Sequence, residues 1–297
     1  LSKHNQDIFY MGSNCFHRSM QQGKSMETLS KDLTSTTNKG NVPFGTITTI
    51  SESPLRFGTI YAGTDDGNIH ITKDVGYNWT KISNPLPQQK WVTRIVASQH
   101  KLERVYATLN GYRNDDFNAY VFVSNDYGKT WKDVSANLPK EPVNVIREDP
   151  KNENIIYVGT DNGLYVSFDN GNHYMAWKSN LPRVAIHDIA IQERENEIVL
   201  GTHGRSIYIA SLQLIQQLKE VENKSIFINK IDSIAYNESL GSKWAVYAEP
   251  TKNIVPISFY NNKENAVTLA IRNEKGKILF DTTLNATLGF NSFNYDL

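Results

Sequence analysis

Short runs of apolar residues separated by polar turns fill the first 210 residues of the chain. In one stretch these runs lie near Thr93–Ser98, Val105–Thr108, Tyr120–Val123 and Trp131–Val134. Their apolar residues alternate with polar ones or run continuously over a few positions, as expected of half-buried and buried strands. The pattern predicts a unit of four antiparallel strands, which we name A to D in chain order.

The four-stranded unit recurs along the chain. A strand B of the type Ile-Tyr-Val-Gly-Thr marks each copy, and its second position falls at Tyr10, Tyr61, Tyr106, Tyr157 and Val199. The intervals between these positions are 51, 45, 51 and 42 residues. A β-rich repeat of this length is typical of the blades of a β-propeller. We therefore predict an all-β propeller over residues 1–210, with about five blades in an incomplete ring.

An eight-residue motif, Ser-x-Asp-x-Gly-x-Thr-Trp, joins strands C and D at Ser124–Trp131. It is the Asp-box, with near copies at Thr72–Trp79 and Ser167–Gly171 and a decayed copy at Ser19–Ser25. In such a turn the aspartate accepts backbone N–H bonds, the glycine adopts a conformation that other residues resist, and the aromatic ring packs under the hairpin. We assign this structural role to Asp74, Gly76, Trp79, Ser124, Asp126, Gly128, Trp131, Ser167, Asp169 and Gly171.

The pattern changes after residue 210. Ser211–Val221 has helical spacing, and we predict a linker helix and an extended segment over residues 211–242. Strand-like runs return over residues 243–297, and we predict a small Ig-like β-sandwich that is cut off near its end. The segments Lys275–Ile278 and Gly289–Asn291 resemble a turn and a strand of the Ig-like modules at the C-termini of exported bacterial proteins.

Charge and composition narrow the classes of partner. The chain has 31 basic and 31 acidic residues, so it has no net field to attract nucleic acid. No apolar run approaches the roughly 20 residues of a membrane-spanning helix, and we expect no insertion into a membrane. Cys15 is the single cysteine of the sequence, and the seven histidines have no metal-ligand spacing. We therefore predict neither a metal nor a cofactor.

The first and last blades are incomplete in the sequence pattern. The first predicted strand, near Asp7–Gly12, is a strand B, and no strand D follows the last strand C at Ser206–Ala210. The chain also starts at Leu1 instead of Met. We therefore expect a fragment of a longer protein, whose remaining blades and domains would be partners of this one.

Four further segments carry a resemblance to a known family, namely Gly45–Ile50, Gly111–Asp116, Val143–Pro150 and Gly201–Arg205. Together with the Asp-boxes, they resemble the bacterial sortilin-like propellers with a sortilin N-terminal domain, many of which are labelled glycosyl hydrolase. The resemblance implies the propeller fold and export to the periplasm, the cell surface or the extracellular space. Asp-boxes occur in sialidases and xyloglucanases, which are enzymes, and in sortilins, which bind peptides. The activity therefore stays open.

The order of the strands sorts the loops onto two faces. Consecutive antiparallel strands turn at opposite ends, so the A–B and C–D loops share one face and the B–C and D–A loops share the other. The Asp-boxes occupy the first face, and we expect a ligand on the second, which we call the B–C face. The candidate ligand-binding residues there are Asp65, Asp66, Trp91, Tyr112, Arg113, Asp161, His203 and Arg205.

The longest B–C loop contains the two candidates for catalysis, Asp115 and Asp116. Adjacent carboxylates raise one another's pKa, which would make one of them a general acid. Tyr112 and Phe117 would then stack against a sugar ring. The alternative is a solvated loop whose aspartates pair with Arg113 or bind backbone N–H groups.

Two functions follow from these candidates. One is a binding or scaffold module that recognises a protein, a peptide or a glycan; Arg205 would clamp a carboxylate or phosphate unless it pairs with Glu148 or Asp149 between blades. The other is a glycoside hydrolase, which needs two carboxylates roughly 5–10 Å apart around one bond. Neighbouring side chains of an extended segment point apart. A second acid would therefore come from another blade, and the candidates are Asp65, Asp66 and Asp161.

Overall fold

The computed structural model describes residues 1–35, 45–177, 181–231, 233, 247 and 254–296. Two compact units divide the chain, Leu1–Ser211 and Leu212–Leu297. The predicted segments 211–242 and 243–297 fall partly outside the described residues, and their bounds stay predictions.

Five antiparallel sheets follow one another in the described part of the first unit, and in each the strands are ordered as the chain runs. This is the arrangement of propeller blades, so the predicted all-β propeller with about five blades is confirmed. Blade 1 consists of β1 (Phe9–Gly12), β2 (Phe16–Ser19) and β3 (Glu27–Thr28), and blade 2 of β4 (Ile47–Glu52), β5 (Ile60–Thr64), β6 (Ile69–Thr72) and β7 (Thr80–Lys81). Blade 3 consists of β8 (Trp91–Ala97), β9 (Val105–Gly111), β10 (Asp116–Ser124) and β11 (Lys132–Asp133), and blade 4 of β12 (Val143–Glu148), β13 (Ile156–Thr160), β14 (Gly163–Ser167) and β15 (Tyr174–Ala176). Blade 5 consists of β16 (Ile186–Gln192), β17 (Glu197–Thr202) and β18 (Ile207–Ser211).

Burial differs between the strands of a blade. Every residue of β5, β9 and β13, the B strands of blades 2 to 4, is buried. The D strands of these blades have two or three residues and are largely exposed. Blade 3 has the longest B–C hairpin, since β9 and β10 extend to a 3₁₀ turn at Tyr112–Asn114. Its B–C loop therefore carries side chains beyond the regular sheet.

One extra residue interrupts the pairing of strand A with strand B at the same place in four blades. The register shifts near the start of β4, β8, β12 and β16. Such a bulge redirects the extra side chain. Thr48 thereby donates a 2.8 Å hydrogen bond to the Val92 carbonyl of the next blade, and Thr93 donates a 2.9 Å bond to the Val143 carbonyl. The four extra residues are Thr48, Thr93, Asn144 and His187.

A buried glutamate near the other end of strand A joins neighbouring blades. Glu148 in β12 is 1% exposed and accepts hydrogen bonds from the Ser98 hydroxyl at 2.8 Å and the Tyr106 hydroxyl at 3.2 Å, both in blade 3. A buried carboxylate needs such donors to offset the loss of its hydration. Glu52 in β4 is the equivalent residue of blade 2, and its donors are Ser2 and Tyr10.

The hydrophobic core of the propeller lies between its blades. Ile69 of blade 2 packs in one cluster with Val92 of blade 3. Val121 of blade 3 packs in the same way with Ile146 of blade 4. Burial of one such side chain stabilises the fold by about 1.5–3 kcal/mol. Each of these blades therefore depends on its neighbour for the burial of its apolar face.

The second unit begins with α1 (Gln213–Val221), whose Val221 side chain is buried. Two sheets follow: β20 pairs with β19 and β23, and β21 pairs with β22. The ring of Phe280 lies 5.8 Å from that of Phe293, so the two sheets contact each other. The Ig-like assignment stays a prediction. The strands are β19 (Ile226–Ile228), β20 (Ile254–Asn261), β21 (Asn265–Arg272), β22 (Ile278–Ala286) and β23 (Gly289–Asp296).

No helix in the described part of the chain has the length and apolar character needed to cross a lipid bilayer.

Candidate functional site

Three Asp-box hairpins share one hydrogen-bond pattern. In blade 3 the Ser124 hydroxyl donates to Asp126 at 2.7 Å, and the Thr130 backbone N–H donates to the same carboxylate at 2.9 Å. The equivalent distances are 2.7 and 2.9 Å at Asp74, and 2.9 and 2.8 Å at Asp169. The hydrogen bonds from Thr130 lower the pKa of Asp126 to about 2. These carboxylates are engaged within their own turns.

The Asp-box turns are also bound to the A–B loops beside them. In blade 3 the Tyr127 backbone N–H donates to the Glu103 carbonyl at 2.8 Å, and blades 2 and 4 have the same bond at 3.1 and 3.0 Å. The Trp131 indole donates at 2.9 Å to the Ile82 carbonyl of the preceding blade, whereas Trp79 donates at 2.8 Å to Gly76 of its own hairpin. This face, which we call the Asp-box face, is held by repeated structural bonds.

A cleft of 710 Å³ lies at the B–C end of blades 3 to 5. Its size is in the range of small-molecule sites. It brings together five predicted ligand-binding residues, whereas Asp65, Asp66 and Arg205 are not among its described lining residues. The cleft is lined by Trp91, Thr93, Arg94, Asn110, Tyr112, Arg113, Asn144, Asp161, Ala185, His187 and His203.

One wall of the cleft is a stacked pair from blade 3. The guanidinium carbon of Arg113 lies 4.5 Å from the centre of the Trp91 ring, a cation–π contact. The Trp91 Nε1 atom is buried, and no hydrogen-bond partner for it lies within the described residues. Tyr112 beside them is 48% exposed. The 3₁₀ turn that positions both loop residues ends at Asp115, which has a φ of 55°.

The rest of the cleft is polar. The Asn144 amide donates to Asp161 at 2.8 Å, and the Asn110 amide donates to Asn144 at 3.4 Å. The imidazole rings of His187 and His203 lie 5.1 Å apart. Side-chain amides, a carboxylate and imidazoles offer both donors and acceptors to a ligand.

Two arginines share one aspartate next to the cleft. Arg94 donates to Asp188 at 2.8 Å, and Arg147 lies 3.4 Å from the same carboxylate. Burial, and then the positive charge of Arg94, lower the pKa of Arg147 to about 10. Arg94 Nε is buried and has no hydrogen-bond partner within the described residues. Asp188 therefore pairs with arginines of two other blades.

Asp116 has a different environment from the one expected of a general acid. Lys90 contacts its carboxylate at 2.6 Å, and the Tyr120 hydroxyl donates to it at 2.7 Å. The hydrogen bond from Lys90, more than any other contact, holds the pKa of Asp116 well below its usual range. The expectation that the neighbouring carboxylates raise one another's pKa is thus wrong for Asp116. The positively charged partner of the Asp116 carboxylate is Lys90, not Arg113.

The other candidates lie in loops that they help to fold. Asp65 accepts a 2.8 Å hydrogen bond from the Thr46 backbone, and Asp66 accepts a 2.5 Å bond from the Thr64 hydroxyl. Among the described contacts of Glu148, the arginine is Arg104 and not Arg205. The structure places Asp65 and Asp66 at the B–C end of blade 2 and Arg205 at the B–C end of blade 5.

Six lining residues of the cleft were not among the predicted ligand-binding residues. Arg94 and Asn144 lie in strand A, where the apolar pattern predicts a buried strand and does not single out the polar positions. A signal was available, because Asn144 and His187 stand at the bulge where blades 2 and 3 have threonine. The residues that were not predicted are Thr93, Arg94, Asn110, Asn144, Ala185 and His187.

The repeated blades, with a polar cleft at the end opposite the Asp-boxes, define a β-propeller with a candidate ligand site. The chain belongs to the family described as Sortilin, neurotensin receptor 3 (Sortilin-Vps10), which matches residues 119–281, more than half of the sequence. The sortilin-like resemblance is thereby confirmed.

Proteins labelled as glycoside hydrolases are also similar to this chain. A xyloglucanase of Hypocrea jecorina (strain QM6a) is 29% identical in a 134-residue alignment that covers 40% of this chain and 16% of the relative. An ancestral GH74 enzyme superposes with a TM-score of 0.56 at 14% identity, over 96% of this chain and 37% of its own. The GH74 xyloglucanase from Xanthomonas campestris has a TM-score of 0.56 at 12% identity, over 88% and 41%. At such identities the superpositions show the fold alone, and the chain spans well under half of these relatives.

Proposed function

We propose that this chain is a binding module that holds a peptide, or an extended segment of a protein, in the cleft of blades 3 to 5. The observation that carries the proposal is the lining of the cleft, where the Asn110 and Asn144 amides, the Asp161 carboxylate and the His187 and His203 imidazoles stand beside the Arg113–Trp91 pair. Together these groups offer both hydrogen-bond donors and acceptors, which the backbone amide groups of an extended peptide would match.

The walls of the cleft favour a peptide over a stacked sugar. Arg113 lies over the Trp91 ring, so that aromatic face is not free for a sugar ring. Backbone amides of a peptide would match the donors of the arginines and the acceptors at Asn144 and Asp161. The description of the family includes a neurotensin receptor, which supports recognition of a ligand without catalysis.

A glycoside hydrolase is the second candidate, and the names of the GH74 and xyloglucanase relatives favour it. Hydrolysis needs two carboxylates around one bond. Among the described lining residues of the cleft, Asp161 is the one carboxylate. Asp116 stays ionised beside Lys90, which does not suit a general acid. The chemistry of the cleft therefore favours binding.

Phage display with a library of random peptides tests the proposal on the full chain. We expect enrichment of particular peptides, and at least tenfold weaker binding of a selected peptide, about 1.4 kcal/mol, to Arg113→Ala and Tyr112→Ala. Tyr77→Ala is the matched control, because Tyr77 is 62% exposed on the Asp-box face. Failure to enrich any peptide, or equal loss of binding in all three variants, would overturn the proposal.

A hydrolysis assay separates the second candidate from the first. Xyloglucan is incubated with the unmodified chain and with Asp161→Asn, Asp115→Asn and Asp116→Asn, and new reducing ends are measured. We expect no release of reducing ends by any of them. Release that disappears in one aspartate variant would establish an enzyme and reject the assignment as a binding module.

The family resemblance also suggests where the module is located. We propose that the module is exported to the periplasm, the cell surface or the extracellular space, as the family resemblance implies. A protein, peptide or glycan of that compartment would then be its partner, and the peptide is the ligand that the cleft chemistry favours.

A further inference from the structure

Two segments of the chain meet at the wall of the cleft that blade 3 provides. One is the D–A loop that leads into β8, whose first residue is Trp91, and the other is the B–C loop of blade 3, which contains Arg113. The Arg113 guanidinium lies over the Trp91 ring. Beside this contact, the Asn114 side-chain amide donates a 3.1 Å hydrogen bond to the Gln89 carbonyl. The two segments are therefore joined directly next to groups that line the cleft.

An ion pair forms the third connection between the same segments. Lys90 Nζ lies 2.6 Å from the Asp116 carboxylate, and the two side chains are only 15% and 19% exposed. At this exposure water and salt screen the charges less than they screen a surface pair. A Cβ at Gly111 would lie 2.9 Å from Asp116 Cβ and 3.1 Å from Lys90 Cδ. Both side chains therefore pack closely against the backbone where the B–C loop begins.

Asp116 also holds the irregular part of the B–C hairpin. The register between β9 and β10 shifts between Asp116 and Tyr120. Across this shift the Asp116 carboxylate accepts hydrogen bonds from the Tyr120 hydroxyl at 2.7 Å and from the Asn118 backbone N–H at 3.1 Å. The carboxylate that Lys90 contacts is thus the one that fixes the shape of the hairpin.

We propose that Lys90 is a positioning residue for the ligand cleft, because through Asp116 it holds the B–C loop of blade 3 against the Trp91 ring. Neither Lys90 nor Asp116 is among the described residues that line the cleft. Each therefore acts on a ligand only through the residues that it holds in place. A loop that is fixed before the ligand arrives loses less conformational freedom on binding, which strengthens binding. The role of Lys90 in binding rests on the proposed function, whereas its hold on the loop does not.

Hydrogen exchange followed by mass spectrometry tests the hold on the loop without any ligand. Lys90→Met removes the charge and keeps most of the side-chain volume, and Asp116→Asn keeps the shape of the carboxyl group. We expect both variants to exchange severalfold faster than the unmodified chain over residues 110–119, with a nearly unchanged unfolding midpoint. Lys101→Met is the matched control, because Lys101 pairs with Glu153 at 2.8 Å on the Asp-box face of the same blade. Unchanged exchange over residues 110–119, or faster exchange throughout the propeller, would overturn the proposal.

The effect on binding is measured with a peptide that phage display selects on the unmodified chain. We expect about tenfold weaker binding by Lys90→Met and by Asp116→Asn, unchanged binding by Lys101→Met, and restored binding by Lys90→Arg, which retains the charge. The double variant should bind as weakly as the weaker single variant, because both changes break the same contact. Faster exchange with unchanged binding, or losses that add in the double variant, would contradict the positioning role. If no peptide is enriched, the proposed function fails, and the exchange measurement still decides whether Lys90 holds the loop.

Discussion

The two faces of the propeller are built from the same strands but differ in how far their loops repeat. On the Asp-box face, the hydroxyl-to-aspartate distances in blades 2, 3 and 4 are 2.7, 2.7 and 2.9 Å. On the B–C face the corresponding loops share no such pattern. Blade 2 ties Asp65 and Asp66 to backbone and hydroxyl groups, blade 3 extends into a 3₁₀ turn, and blade 4 presents Asp161 to Asn144.

This difference separates residues that make the blade from residues free to make a site. A turn that has the same hydrogen bonds in three blades serves to stabilise the fold. A set of loops that differ from blade to blade, on a scaffold that does not change, is the usual place of function. We therefore expect substitutions on the Asp-box side of the propeller to lower stability, and substitutions around the cleft to lower binding.

The largest expected effect is that of Glu148→Ala, near the Asp-box end of strand A. The buried carboxylate accepts hydrogen bonds from the Ser98 and Tyr106 hydroxyls, and its loss leaves both without that acceptor and removes one of the two carboxylates that pair with Arg104. We expect the free energy of unfolding to fall by about 3–5 kcal/mol, measured by urea unfolding followed by tryptophan fluorescence. Glu153→Ala removes the exposed partner of Arg104 and should change little. A small loss of stability in Glu148→Ala would contradict the expectation that substitutions on the Asp-box side lower the stability of the fold.

Substitution of two glycines, one on each face, compares the stability of the two faces directly. Gly128 and Gly204 have φ values of 86° and 76°, so alanine costs about 1–2 kcal/mol at either site. A Cβ at Gly128 would also collide with the Ile82 side chain of the preceding blade, whereas nothing lies within 4 Å of one at Gly204. Overpacking adds about 1–3 kcal/mol. We expect Gly128→Ala to be the less stable variant in thermal unfolding, and equal losses would contradict this account.

A smaller loss, about 1–2 kcal/mol, is expected for Asp126→Ala near neutral pH. The pKa of Asp126 is lowered from 3.8 to about 2 in the folded protein. The folded state therefore gains stability from this carboxylate above about pH 4, and loses that gain as the pH falls towards 2. The difference in stability between the variant and the unmodified chain should shrink over that range. A difference independent of pH would show that the ionised carboxylate is not responsible.

The smallest effect on stability is expected for Arg113→Ala on the B–C face. An exposed cation–π contact contributes about 0.5–1 kcal/mol. The variant uncovers Trp91, so quenching of tryptophan fluorescence by acrylamide should increase while the unfolding midpoint changes little. A loss as large as that of Asp126→Ala would mean that the cleft loop supports the fold.

The repeat made most of the propeller predictable from the sequence. Tyr61, Tyr106 and Tyr157 mark strand B because each blade buries the same position. The sequence contains a further repeat that its pattern does not reveal: Ser2-Lys3-His4 matches Ser98-Gln99-His100. His4 Nε2 lies 2.9 Å from the Ser53 carbonyl, and His100 Nε2 lies 2.8 Å from the Asp149 carbonyl. A three-residue match is too short to recognise without the contacts that explain it.

The site was predictable only in part. The sequence placed Trp91, Tyr112 and Arg113 on the B–C face, because they lie in or next to loops and the alternation of strands assigns each loop to a face. Arg94 was missed because its role depends on Asp188, which is 94 residues away. Asp116 was misjudged for the same kind of reason, since the lysine that lowers its pKa, Lys90, comes from a D–A loop.

The sequence by itself determined the blade, its repeat and the face on which each loop lies, because these depend on local patterns of burial and turn formation. The tertiary structure decided which polar groups from separate blades meet, because this depends on how one blade is placed against another. A hydrophobic pattern specifies that a strand is buried, but the side chain that buries it, or the cation that reaches a carboxylate, is set by the packing of the blades.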